Sequence, residues 1–240
     1  MECLLFQIML IPFFLSLHLK VIMSMNSLLV FFFIFMFLVA IVQVHIFEIA
    51  FVKLGLTPEE ATLIVLGTIL GSIINLPIYS VTATINNPLV VLAGRKLIWK
   101  TWQPARKGKV VIAINVGGCV IPFSLCIYFF YLQELDPIKI TFSTLIMIIL
   151  SYKSSKLIPG YGVGMPVFLA PLTAAGLALI VDPEHAATLA YISGVMGVLI
   201  GADVFRLNEI TSLGSPVASI GGAGTFDGIF MTGIIAALLA

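Results

Sequence analysis

Along this chain the polar positions gather in short clusters, and the apolar runs between them have lengths set by a lipid bilayer. A helix crossing a hydrocarbon core of ~30 Å needs about 20 mostly apolar residues. Runs of this kind lie at 28–48, 61–80, 110–132, 138–152, 163–181, 186–204 and 217–239. The run at 138–152 is short and is expected to tilt or to extend into the SYKSSK stretch. The pattern predicts an all-α protein, a polytopic transmembrane helical bundle of about seven core spans. A further apolar run at 3–19 has no basic leader and no small-residue cleavage site, so a signal peptide is not expected. It stands as an eighth span, an interfacial piece, or sequence upstream of a start at Met23 or Met25. The expected organisation is an apolar N-terminal segment, 1–25, and one integral membrane domain, 26–240.

Composition agrees with this class. The chain is 60% hydrophobic and 10% charged, with a mean hydropathy of +1.18; a soluble domain carries roughly 25% charged residues. Charge also sets an orientation. With the loop 81–109 in the cytoplasm, Lys20, Arg95, Lys96, Lys100, Arg106, Lys107, Lys109, Lys153, Lys156 and Arg206 all fall on that side. Lys53 and Lys139 fall outside, among Glu59, Glu60, Glu134, Asp136, Asp182 and Glu184. The positive-inside rule therefore gives a multi-pass plasma-membrane protein with an outer C-terminus. In the loop, WKTWQPARKGK combines lysines and arginines with Trp99 and Trp102. That suits a headgroup interface, each cation contributing about 1 kcal/mol near an anionic surface.

Several classes drop out. No basic tract interleaved with aromatics points to nucleic acid. Cys3, Cys119 and Cys126 make no CxxC or His-paired spacing, so neither a disulfide framework nor a metal site is implied. No cofactor motif is present, and the lipid bilayer is the one partner that composition names.

Polar breaks interrupt the runs: GSIINLP at 71–77, NVGGCVIP at 115–122, GYGVGMP at 160–166 with Pro171, and GGAGTFDG at 221–228. Pro removes an amide donor and Gly loosens the helix, and freed backbone groups persist in a membrane only where protein or water satisfies them. Asn75 and Asn115 each stand at such a break and can supply those bonds, either as interhelical glue or as part of a hydrated centre. Transporter sites are often built from discontinuous helices of this kind. Small residues at four-residue spacing (Gly67 and Gly71, Ala190 and Gly194, Gly197 and Gly201, Gly224 and Gly228) are expected to let helices approach closely.

Two aspartates stand within the runs. Asp203, in VLIGADVFRL, lies at a helix end with Arg206 three residues on as a possible partner. Asp227 lies roughly 15 Å into the last run if that run is helical from Val217. A carboxylate at such depth costs about 2.5–3.5 kcal/mol on insertion scales. SIGGAG is a poor helix, whereas Thr225 can cap one, which would put Asp227 in the first turn of a second half-helix, where free amides favour it. The last two runs share a short connection, so the two carboxyls can meet in one pocket and share a proton.

NLPI at 75–78, NVGGCVIP at 115–122, PGYGVGMPVFLAPL at 159–172, YISGVMGVLIGADVFRL at 191–207 and SIGGAGTFDGIFMTGIIAALLA at 219–240 together resemble an uncharacterised prokaryotic membrane-protein family, domain of unknown function 1614. That resemblance implies a multi-span membrane protein and no activity. FDGIFMTGIIAALL also looks like the segment after the second catalytic aspartate of GxGD-type intramembrane proteases, and GAD at 201–203 looks like the variant of that motif in archaeal prepilin peptidases. The second likeness would make Asp203 and Asp227 the two catalytic aspartates. It departs from the motif at Thr225-Phe226, lacks a Tyr-Asp pair at Asp203, and has no later PAL motif. Three functions follow. The first is a proton- or ion-coupled transporter of a small solute, with Asp227, Asp203, Asn75, Asn115 and Thr225 as substrate- or ion-binding residues. The others are an aspartyl protease acting on a membrane peptide and a non-catalytic assembly partner.

Overall fold

The computed structural model describes the backbone except at residues 1, 86–88, 92–98, 102–105, 159–161, 211–216 and 223–227. Side chains are described outside 1–26, 83–108, 158–162, 210–216 and 223–227. The chain divides into two compact units, Met1–Ile46 and Phe47–Ala240. Helix α1 (Glu2–Lys53) supplies the first unit and opens the second. Within the first unit its side chains at 27–42 are exposed, among them Phe31, Phe33, Phe35 and Phe37.

In the second unit α2 (Pro58–Gly71) starts from a capping box. Thr57 accepts from the Glu60 amide, and the Glu60 carboxylate accepts from the Thr57 amide at 2.9 Å. Such reciprocal bonds satisfy donors that a helix start otherwise leaves open. Next come β1 (Asn75–Ile85), β2 (Leu89–Val91), β3 (Trp99–Thr101) and β4 (Arg106–Asn115). A π-helical turn, Val116–Val120, leads from β4 into α3 (Ile121–Leu132). Then α4 (Pro137–Ser154), β5 (Lys156–Ile158), β6 (Gly162–Gly164), α5 (Leu169–Val181) and α6 (Ala186–Val198) follow. A second π-helical turn, Leu199–Val204, extends α6 and precedes α7 (Leu207–Ile210), β7 (Val217–Ile220) and α8 (Gly228–Leu239).

The protein is mostly helical, but the all-α expectation is corrected by a sheet. The apolar run 61–80 is helical only to Gly71 and 75–85 is a strand; the runs at 110 and 217 likewise begin as strands. An apolar count cannot tell strand from helix, whereas NLPIYSVTATI and VVIAI carry the β-branched density that strands prefer. The sheet runs β1-β4-β7. β1 and β4 are antiparallel, with Asn75 opposite Asn115 and a register shift between Pro77 and Tyr79, on the edge strand where a proline is tolerated. β4 and β7 are parallel, Val111 facing Val217 and Ile114 facing Ile220. Val110, Ile112 and Ala218 form a small apolar core on this sheet.

Helix α6 is the packed centre of the unit, contacted by α3, α4, α5 and α8. Gly194 lies against Thr232 and Ala174, Gly197 against Met147, and Gly233 against Tyr191. These approaches exclude larger side chains, as in helix pairs held by close packing. An aromatic group from α1, α3, α6 and α8 fills one side: the rings of Phe129 and Tyr191 lie 5.4 Å apart, and those of Phe47 and Phe230 5.5 Å apart. Large apolar residues point the other way. Leu63, Leu66 and Leu70 on α2, Phe123 and Ile127 on α3, Phe142 and Ile149 on α4, and Ile180 on α5 are all exposed. Among the described residues, two segments, Ser27–Lys53 and Ala186–Glu209, are long and apolar enough to cross a membrane.

One end of the unit gathers the connections at 54–57, 133–136 and 182–185. Gln133 Nε2 donates to Leu54 O at 2.9 Å, and Lys53 Nζ donates to Leu238 O at 3.3 Å. There Asp182, its side chain only 8% exposed, accepts from Lys139 Nζ at 3.1 Å and lies 3.4 Å from His185 Nδ1. Burial pushes the Asp182 carboxyl up, but its bonds to Lys139 and His185 more than offset this and hold it below the ordinary 3.8. A carboxyl depressed by folding stabilises above its unfolded pKa, and the benefit disappears as pH falls through the folded value. Asp182→Asn is therefore expected to lower the melting temperature of the purified protein by roughly 2–4 °C at neutral pH. Melts repeated at decreasing pH should show the gap from wild type closing below about pH 4.

Candidate functional site

At the other end the chain breaks converge. Helix α2 stops at Gly71, the chain turns through 72–74, and β1 begins. Asn115, at the junction of β4 with the π-helical turn, is 0% exposed and ties the breaks together. Its Nδ2 donates to Ser72 O at 2.7 Å and to Asn75 Oδ1 at 3.1 Å, and its Oδ1 accepts from the Gly118 amide at 2.7 Å. Asn75 Oδ1 also accepts from Ser219 Oγ at 2.7 Å, which brings in β7. Both amide hydrogens and the oxygen of Asn115 are thus engaged in closing backbone groups that the breaks expose.

Glycines make the approach possible. A Cβ on Gly117 would overlap Thr68 O, and one on Gly118 would overlap Gly221 O. Gly221, at φ +83°, and Gly222, at φ +76°, turn the chain directly after β7 in the left-handed region that side chains disfavour.

Asp203 belongs to the same construction. It stands in the π-helical turn after α6, and its Oδ2 accepts from the Gly221 amide at 2.8 Å. π-Helical turns displace side chains from the regular helical register and often mark functional positions. Asp203 also lines a cavity of about 300 Å³ between the end of α6, the start of α8 and the stretch at 163–167. The other walls are largely apolar, with Met165, Val198, Ile229 and Met231 beside the hydroxyl-bearing Thr232. The expected Asp203–Arg206 pair does not form. Arg206 donates to Ser155 Oγ at 2.6 Å, Tyr152 O at 2.7 Å and Ser155 O at 3.0 Å, and its ion-pair partner is Glu209 at 2.9 Å. It caps the end of α4, where free carbonyls favour a cation.

Of the residues singled out in the sequence, Asn75 and Asn115 are joined, and Asp203 lies nearby through Gly221 and Gly118. Thr225 and Asp227 lie outside the described residues, as does most of the basic loop with Trp102. Ser72, Gly118, Ser219 and Gly221 were not singled out as partners, although the glycine pairs at 117–118 and 221–222 signal close backbone contact. Among the described residues no group of three or more His, Cys, Asp or Glu side chains is placed to hold a metal.

A mostly helical unit with a three-stranded sheet at one end and a carboxylate in a largely apolar cavity is the class that fold and site define. Residues 69–239 match the family described as protein of unknown function (DUF1614), and the chain belongs to that family. No curated protein and no solved structure matches the chain.

Proposed function

We propose that this chain is a polytopic integral membrane protein whose second unit binds and moves a small solute at the Asp203 cavity, coupled to protons or another ion. The observation that carries the reading is the Asp203 carboxylate, set on a π-helical turn in the wall of a cavity of about 300 Å³. Interrupted helices around a site are the usual construction of secondary transporters, because they present backbone and side-chain groups to a solute at membrane depth. The surrounding bundle favours lipid as its solvent, with large apolar side chains exposed on its outside and Gly194, Gly197 and Gly233 at the close contacts between helices.

The short helices fit about seven crossings if each is completed by extended chain buried at the junction, which a membrane tolerates. Lys53, Glu59, Glu60, Asp136, Lys139 and Asp182 gather toward one end of the unit, whereas Lys109, Lys153, Lys156 and Arg206 gather toward the other. That sorting supports a cytoplasmic sheet end in a plasma membrane.

The test is proton-linked flux in proteoliposomes. Asp203→Asn keeps an oxygen that can accept from Gly221 and removes the charge, so it is expected to fold and to lower flux by roughly tenfold or more. Asp227→Asn belongs in the same experiment. Unchanged flux in both variants would overturn the transport reading. Cleavage of a helical test peptide by wild type, lost in both variants, would replace it with the aspartyl protease. If wild type shows neither activity, the assembly role stands instead.

A further inference from the structure

The make-up of the cavity narrows what it can hold. Hard inorganic cations take about six or more oxygen ligands in a compact shell. Among the described lining residues, the side-chain oxygens are those of Asp203 and Thr232. The Thr232 hydroxyl already donates to Gly228 O at 2.6 Å, so it faces a ligand as an acceptor only. The remaining lining includes Val163, Met165, Val198, Ile229 and Met231. Among the described lining residues, the side chains offer an inorganic cation two oxygens and offer a hydrocarbon the larger, apolar share of the wall. Methionine side chains are flexible and polarisable and adapt to apolar ligands of varied outline. A volume of about 300 Å³ stands at the lower end of the range for small-molecule sites.

We propose that the Asp203 cavity binds a small lipophilic organic cation, an alkylammonium-type amine. Its charged head is held by the Asp203 carboxylate, with Thr232 as a second acceptor, and its hydrocarbon body lies against the valine, isoleucine and methionine walls. An ammonium presents three donors and no acceptor, which matches a site whose side-chain oxygens can only accept. This assignment deepens the reading of the same cavity as a solute site and rests on it.

The experiment is calorimetric titration of the full-length, detergent-purified protein with n-hexylammonium, n-hexanol, hexanoate, sodium and potassium. Of these, n-hexylammonium alone is expected to bind saturably, and methylammonium, titrated beside them, is expected to bind more weakly; Asp203→Asn should weaken n-hexylammonium at least about tenfold and Asp203→Glu should retain it in large part. Because Asp203 also holds Gly221, a second variant keeps the carboxylate and narrows the space. Val167 lines the cavity and is exposed, so Val167→Trp should fold normally. It should weaken n-hexylammonium more than methylammonium. Hexanol binding as tightly as the amine, sodium or potassium displacing the amine, or no saturable amine binding would each overturn the assignment. Amine binding without amine-dependent flux in proteoliposomes would leave the ligand class standing and remove the transport reading. Proton-linked flux without amine binding would do the reverse.

Discussion

Gly118→Ala is expected to destabilise the fold sharply and to lower the melting temperature and the yield of folded protein. The added Cβ would overlap the carbonyl oxygen of Gly221, and neither partner is a side chain that can swing aside. Gly118 is fixed by its amide bond to Asn115 Oδ1 at 2.7 Å, and Gly221 by its own amide bond to Asp203 at 2.8 Å. Relief requires β7 and the π-helical turn at Val116–Val120 to separate, which would also part Asn75 from Ser219. Overpacking a rigid site costs about 1–3 kcal/mol and occasionally more. Backbone against backbone belongs at the upper end, a large part of a stability of roughly 5–15 kcal/mol. Gly176→Ala is the matched control. Nothing lies within 4 Å of a Cβ at Gly176 in helix α5, so that change should be neutral or slightly stabilising. Fluorescence size-exclusion profiles of the two variants, with a thermal melt of whatever survives, decide the matter. A Gly118→Ala protein as monodisperse and heat-stable as wild type would show that the breaks do not meet as described.

The second large effect is at Asn115. Asn115→Leu keeps the branched outline with some added volume and removes every polar group, leaving Ser72 O and the Gly118 amide buried without their side-chain partner. Each buried group stranded in this way costs roughly 1–3 kcal/mol, so a loss of about 2–6 kcal/mol is expected. Asn115→Asp separates the two halves of the role. It keeps the acceptor for Gly118 but replaces the donor with an oxygen opposite Asn75 Oδ1 and Ser72 O, so it should be nearly as damaging. Hydrogen exchange read on peptides covering 70–80 and 115–122 should rise in both variants and stay at the wild-type level across α5. Wild-type protection in Asn115→Leu would contradict a structural clamp.

The legible and illegible parts of this fold divide along physical lines. The breaks were readable because glycine and proline act locally. GSIINLP, NVGGCVIP and the glycine pair at 221–222 mark where α2 ends, where β4 gives way to a π-helical turn, and where β7 turns back. β4 was missed because VVIAI is apolar on both faces, which erases the alternation that marks a half-buried strand, and β1 because its alternating SVTATI sits at the end of an apolar run that reads as one helix. YSVTATI, rich in β-branched residues, was the remaining signal. Asn75 and Asn115 stood out as polar groups beside breaks, but their bond to each other depends on antiparallel pairing across a long hairpin, which no local pattern encodes. Asp203 was found through its charge. Its cavity was not, because Met165, Val198 and Met231 are ordinary apolar residues until the fold assembles them.

The parallel pairing of β4 with β7 has a consequence for how the molecule is made. Residues 111–114 must wait for 217–220, and all of α3 through α7 is synthesised in between. Until β7 arrives, the Asn75 side chain lacks Ser219, and Asp203 lacks the Gly221 amide. The carboxylate therefore reaches its final setting late in synthesis. Nascent chains released before Val217 should lack the completed cavity and engage quality-control proteases, however well their earlier helices have formed.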